Sequence, residues 1–160
     1  MRNLFLFVAI SLTVVVNAQV ELKGVELSST NPDYKEGVTT TLIGNEYVIL
    51  TRHLNDERIY LIAAIPAEGD NIRHVHYTEL KQLKSALEKK YEIKFKFLAK
   101  ESYDEYSGWY RASKDGVSYM ITTDHNKYRD QPYKISLFIT NDELDKINTK
   151  EEQEKANDDL

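Results

Sequence analysis

Arg58-Ile59-Tyr60-Leu61-Ile62-Ala63-Ala64-Ile65-Pro66 is the stretch on which the fold turns. Seven apolar residues run without a break from Ile59 to Ile65 and stop at a proline. So short a run, rich in β-branched and aromatic side chains, reads as a strand. Apolar on both faces, it belongs at the centre of a sheet, covered above and below. Just upstream, Glu46 to Leu54 alternates, with Tyr47, Ile49, Thr51 and His53 on one face and Val48, Leu50, Arg52 and Leu54 on the other. Asn55-Asp56-Glu57 turns the chain between the two. Thr39 to Ile43 is a short β-branched strand that returns through Gly44-Asn45. Thr39 to Ile65 is therefore expected to form a meander of three antiparallel strands.

Working outward, Gln19 to Leu27 predicts one further strand kinked at Gly24, and Ser28 to Asp33 has the chemistry of a loop. Downstream comes the one clear helical pattern. Leu80, Leu83, Leu87 and Tyr91 recur at helical spacing, with Thr78 expected as N-cap and Glu79 in the first turn. Lys94 to Lys100 alternates again, lysines out and Phe95, Phe97 and Ala99 in. Gly108–Ser113 and Val117–Thr123 flank Lys114-Asp115-Gly116, a strong hairpin signal. Tyr133 to Thr140 is the last strand, and Asn141 or Thr140 is placed to cap a short helix through Leu144 and Ile147. The order β-β-β-β-α-β-β-β-β predicts the α+β class: an antiparallel meander sheet with one amphipathic helix packed on it as a second layer, and a short C-terminal helix. A helix followed by four antiparallel strands is loosely similar in topology to cystatin-like and small inhibitor folds.

The N-terminus reads differently. Arg2 supplies a positive charge, Leu4 to Val16 is 13 residues of apolar character broken only by Ser11 and Thr13, and Val16-Asn17-Ala18 offers a small-residue exit. These are the parts of a secretory signal peptide, residues 1–18. The apolar run spans roughly 20 Å as a helix, short of the roughly 30 Å of a bilayer core. Cleavage after Ala18 leaves Gln19 first. That residue, with the Lys, Asn, Glu, Ile and Tyr usage, resembles exported proteins of the Bacteroidetes. The sequence contains no cysteine. A lipid anchor on cysteine and disulfide staples are thereby excluded, so the domain relies on its core. The expected location is a bacterial periplasm or the exterior, with no membrane insertion once the leader is removed.

Removing the leader from 160 residues leaves 142, the size of one domain, assigned to 19–148, followed by an acidic, unstructured tail over 149–160. The net charge is −5 for the whole chain, and eight acids against three lysines lie between Asp142 and Leu160. An acidic chain does not track phosphates, which argues against nucleic acid as a partner.

Few residues suggest chemistry. His74 and His76 form a His-x-His pair that would start a zinc site if His53, His125 or Asp70 supplied a third ligand. Asp124 to Asp130 sets oxygens at alternate positions, but Arg129 and Ile135 stand where a calcium loop needs glycine and a bidentate glutamate. Glu101, Asp104 and Glu105 serve glycoside chemistry only at a suitable separation. No nucleophile elbow, phosphate loop or cofactor motif is present, which disfavours an enzyme without excluding one. The segment Glu101 to Tyr110 is the most informative. Tyr103, Tyr106, Trp109 and Tyr110 stand among Asp104, Glu105 and small residues, the composition of an interface anchor. The reading that follows is an exported, non-catalytic binding protein of the inhibitor or immunity type, with another protein as partner. The alternatives are a metal-dependent protein using His74 and His76, and a structural part of a surface or secretion assembly.

Overall fold

A computed structural model describes residues 20–31, 34–100 and 106–158. The leader lies outside the described residues, as do Glu101 and the site candidates Tyr103, Asp104 and Glu105. The chain is α+β, as expected. Ten strands are described: β1 (Glu21–Leu22), β2 (Val25–Glu26), β3 (Val38–Leu42), β4 (Asn45–His53), β5 (Ile59–Glu68), β6 (Asn71–Ile72), β7 (Lys96–Ala99), β8 (Gly108–Lys114), β9 (Val117–His125) and β10 (Tyr133–Asn141). Helix α1 (Tyr77–Tyr91) lies between β6 and β7, and α2 (Asp142–Asp158) closes the described chain.

The large sheet runs β3-β4-β5-β10-β9-β8-β7, antiparallel throughout, with β6 paired to the end of β5. The meander β3-β4-β5 forms as expected. The chain then crosses with α1 and returns from the far edge, so that β10 lands beside β5 with Leu137 opposite Ala64 and Ile139 opposite Ile62. Asp115 and Gly116 take the positive φ values, 51° and 75°, that the β8–β9 turn requires. The first expected strand is instead a separate β1–β2 hairpin, because Lys23 and Gly24, both at positive φ, turn it back on itself. Leu22, Val25 and Leu27 still reach the core.

One face of the sheet is the core. Tyr47, Ile49, Ile62, Ala64, Leu137, Ile139, Tyr119 and Ile121 are all buried against Leu80, Leu83 and Leu87 of α1. Each such leucine contributes roughly 1.5–3 kcal/mol of burial. Burial pushes the phenol of Tyr119 up to about 12 and also raises that of Tyr91. The helix starts one residue before the expected cap: His76 is the N-cap and makes no side-chain capping bond. Its first turn is held instead by a half-buried polar cluster. Glu79 accepts two bonds from the Arg73 guanidinium, at 2.7 and 2.8 Å, and one from the Tyr47 hydroxyl at 3.0 Å. Burial, then the neighbouring Glu79, raises the Tyr47 phenol.

Two expectations change. Helix α2 has 17 residues, and residues 149–158, expected as an unstructured tail, are helical. Asn141 Oδ1 accepts the N–H groups of Glu143 and Leu144 and so caps the helix. Glu151 and Lys155 then bond to Asn55 in the β4–β5 turn and tie the distal turns down. The second change concerns β5. On the face away from α1, Leu61 and Ile65 are only half-buried. Helix α2 meets that face at one end alone, where Leu144 packs with Leu54, Tyr60 and Leu61. No helix among the described residues is long and apolar enough to cross a membrane.

Candidate functional site

Strand alternation divides the aromatic segment. Tyr110 sits opposite Ile121 and Phe97 and packs on the core, 4.8 Å between ring centroids from Phe97. Trp109 projects to the other face, opposite Leu98 on one side and Thr122 on the other. Tyr106 precedes β8 and is 49% exposed. Its ring packs at a tilt against His125, which in turn meets Tyr133. Trp109 and Tyr110, neighbours in sequence, therefore do not share a surface.

The second face of the sheet is built by the same alternation. Val48 and Leu50 of β4, Leu61 and Ile65 of β5, Phe138 of β10, Met120 of β9 and Trp109 of β8 are all half-buried, and Leu98 of β7 is 48% exposed. Those of β4, β5, β9 and β10 are each flanked by a buried residue of the opposite face. A sheet face this apolar is normally covered by another layer. Two shallow grooves score it. One, about 550 Å³, lies over β7 to β10 between Lys94, Lys96, Leu98, Arg111, Met120 and Thr140. The other, about 400 Å³, lies over β3 to β5 beside Val48, Leu50 and Ile65.

The charge on this face is unlike that of the chain as a whole. Lys96 stands directly opposite Arg111, which stands directly opposite Met120. Like charges facing one another across a strand pair destabilise it. Neither cation makes an ion pair among the described residues; Arg111 lies over the Trp109 ring at 5.5 Å. Glu36 and Asp70 line the second groove of this face, and two other acids on its strands are engaged. Asp124 is 3.8 Å from Lys100, and Glu46 accepts the Gly69 N–H.

The histidine pair is positioned otherwise. Val75 is buried and bridges Tyr133, so His74 and His76 turn to the side away from it. His74 is half-buried in a polar groove with Glu68, Arg73, Arg129 and Asp130, and its Nδ1 has no hydrogen-bond partner among the described residues. Burial, then Arg129 and Lys134, hold its imidazole below the ordinary value. His53, named above as a third ligand, bonds instead to Thr51 and the Glu57 carbonyl. Among the described residues no three His, Cys, Asp or Glu side chains are grouped to hold a metal. In the Asp124–Asp130 connection, Asn126 Oδ1 is occupied by the Tyr128 N–H, as in a local polar turn.

Of the six residues expected at an interface, Trp109 lies on the open face, Tyr106 at the end of the sheet, and Tyr110 on the core side. The cation pair was missed because a charge on a strand reads as a solvated face until the register shows what stands opposite. The apolarity of Ile59 to Ile65 on both sides, with the alternation of Val48, Leu50 and Arg52, signals in the sequence that a second face exists. Comparison with protein-family models, with curated proteins and with solved structures finds no match.

Proposed function

We propose that this protein is a non-catalytic binding protein, exported by the signal-like segment Met1–Ala18, that holds a protein partner on the open face of its sheet. The observation that carries the reading is the continuous half-buried apolar surface from Val48 through Phe138 and Met120 to Trp109 and Leu98. Contiguous exposed apolar surface on a small domain marks an interaction site. Trp109 supplies a large anchor of low entropy at its basic end. The inhibitor or immunity role remains the preferred subtype, since such a protein acts by occupying its partner.

The test compares three tagged forms of the full chain, expressed in the native host with their own leader. The forms are wild type, Met120→Asp with Phe138→Asp, and a control, Lys81→Glu, on the outer side of α1. A partner retained by wild type and the control but lost by the double variant is the expected result. Equal retention by all three would remove the open face from the account.

A further inference from the structure

The partner's chemistry can be read from the charge on the same surface, and this step rests on the reading just given. We infer that the groove over β7 to β10 takes an acidic protein segment with interspersed apolar side chains. Lys94, Lys96 and Arg111 line it, with Leu98 and Met120 between them, and among the described residues no carboxylate lines it. Lys94 reaches Glu88 at 3.6 Å but is otherwise 88% exposed. The chain as a whole is acidic, and the cations gather at the β7–β8 end of the face while Glu36 and Asp70 line the groove at its β3–β5 end, which is a segregation of charge.

The Lys96–Arg111 pairing is the second element. A like-charge pair across two strands, with no ion-pair partner among the described residues, opposes the folded state, and rules broken locally tend to fall at functional sites. A carboxylate seated between the two side chains would turn that repulsion into two charge-assisted contacts. Leu98 and Trp109, also directly opposite one another, form the apolar step beside it. The segment this fits has an acidic residue for the cation pair and an aliphatic or aromatic residue for the Leu98–Trp109–Met120 surface. A second copy stacked with β7 over β7 would bring the cations of both copies together.

The experiment uses the purified protein and four probes. They are a 12-residue peptide alternating Glu and Asp with Leu and Phe, the same peptide with Lys at every acidic position, a single-stranded oligonucleotide, and phosphatidylglycerol vesicles. Binding is followed by the fluorescence of Trp109, the only tryptophan in the sequence. The acidic peptide is expected to bind and the lysine peptide not to. Lys96→Glu with Arg111→Glu is expected to weaken the acidic peptide roughly tenfold or more, with binding also falling as salt rises. Met120→Asp with Phe138→Asp weakens it through the apolar contacts. A circular dichroism spectrum equal to wild type certifies each variant as folded; if a reversal does not fold, Lys96→Ala and Arg111→Ala replace it. No binding of the acidic peptide up to 1 mM overturns the inference, as does equal binding of the lysine peptide. Preference for the oligonucleotide or the vesicles overturns it in favour of a phosphate-bearing occupant. If a captured partner depends on the open face but not on the two cations, the inference fails while the proposed function stands.

Discussion

Glu79 is the residue whose removal the structure prices most directly. In Glu79→Ala, Arg73 loses a two-pronged acceptor and Tyr47, fully buried, loses the acceptor for its hydroxyl. The side chains of Arg73 and Glu79 are only 16% and 11% exposed, so water replaces the lost partner poorly. Removing one member of a fully buried ion pair costs about 3–5 kcal/mol, an upper range for this half-buried pair. The Arg73 guanidinium keeps longer contacts to the carbonyls of Ala67 and His74, at 3.3 and 3.4 Å, which places the loss near the lower end, about 3 kcal/mol. For a chain of this size that is a fall of roughly 6–12 °C in Tm. Tyr47→Phe, which removes one bond to the carboxylate, should cost about 1.5 kcal/mol in the wild-type background and near zero when Glu79 is already alanine. Urea unfolding of the four proteins reads the cycle. A loss below about 0.5 kcal/mol for Glu79→Ala, the usual scale of an uncommitted surface substitution, would refute the account of how α1 is fastened to β4.

Two further outcomes follow from single residues. A Cβ at Gly108 would lie 2.2 Å from the Leu98 carbonyl oxygen and 3.0 Å from Ala99 Cα, backbone atoms that cannot rotate away. Gly108→Ala should therefore push β7 off β8 at a cost of about 1–3 kcal/mol, seen as faster hydrogen exchange at Lys96–Ala99; unchanged protection there would contradict the register. The imidazole of His74, held below its usual value near 6.5, favours folding in its neutral form. That contribution is complete above pH 6.5 and drains away as pH falls from there through the lowered folded-state value. Urea midpoints measured between pH 7.5 and 5 should decline in wild type and flatten in His74→Gln; parallel profiles would remove His74 as the source.

Much of this fold is legible in local pattern, and the failures have definite causes. The β8–β9 hairpin follows from Asp115-Gly116, since few other pairs accept two positive φ angles in succession. Helix α1 follows from Leu80, Leu83 and Leu87, although its start does not, because the first turn is stabilised by Arg73 and Tyr47 through Glu79 rather than by a capping side chain. Helix α2 is poorly marked because Leu144 and Ile147 are its main apolar residues. Its length depends on the Asn141 cap and on bonds to Asn55, about a hundred residues away in the chain. The double-sided apolarity of β5 gives its central position. Whether a second layer covers it depends on where α2 goes, which local pattern does not encode.

The interface residues show the same limit. The aromatic density around Trp109 is visible in the sequence, but which rings share a face depends on the phase of β8. That phase is fixed by Tyr110 and Ala112 packing toward α1. The Lys96–Arg111 pair is visible only once β7 and β8 are in register, because the two residues are fifteen positions apart. A lysine alternating with phenylalanine looks like an ordinary wet strand face until a like charge is found across from it.

The central claim, an open sheet face that is both apolar and cationic, is tested most directly by quenching the fluorescence of Trp109 in the free protein. Iodide, drawn in by Arg111 and Lys96, should quench it strongly, and caesium of equal concentration weakly, with the difference shrinking as sodium chloride is raised. Emission that neither ion quenches would mean that the face is covered, and quenching favoured by caesium would mean that its charge is the reverse of the one described.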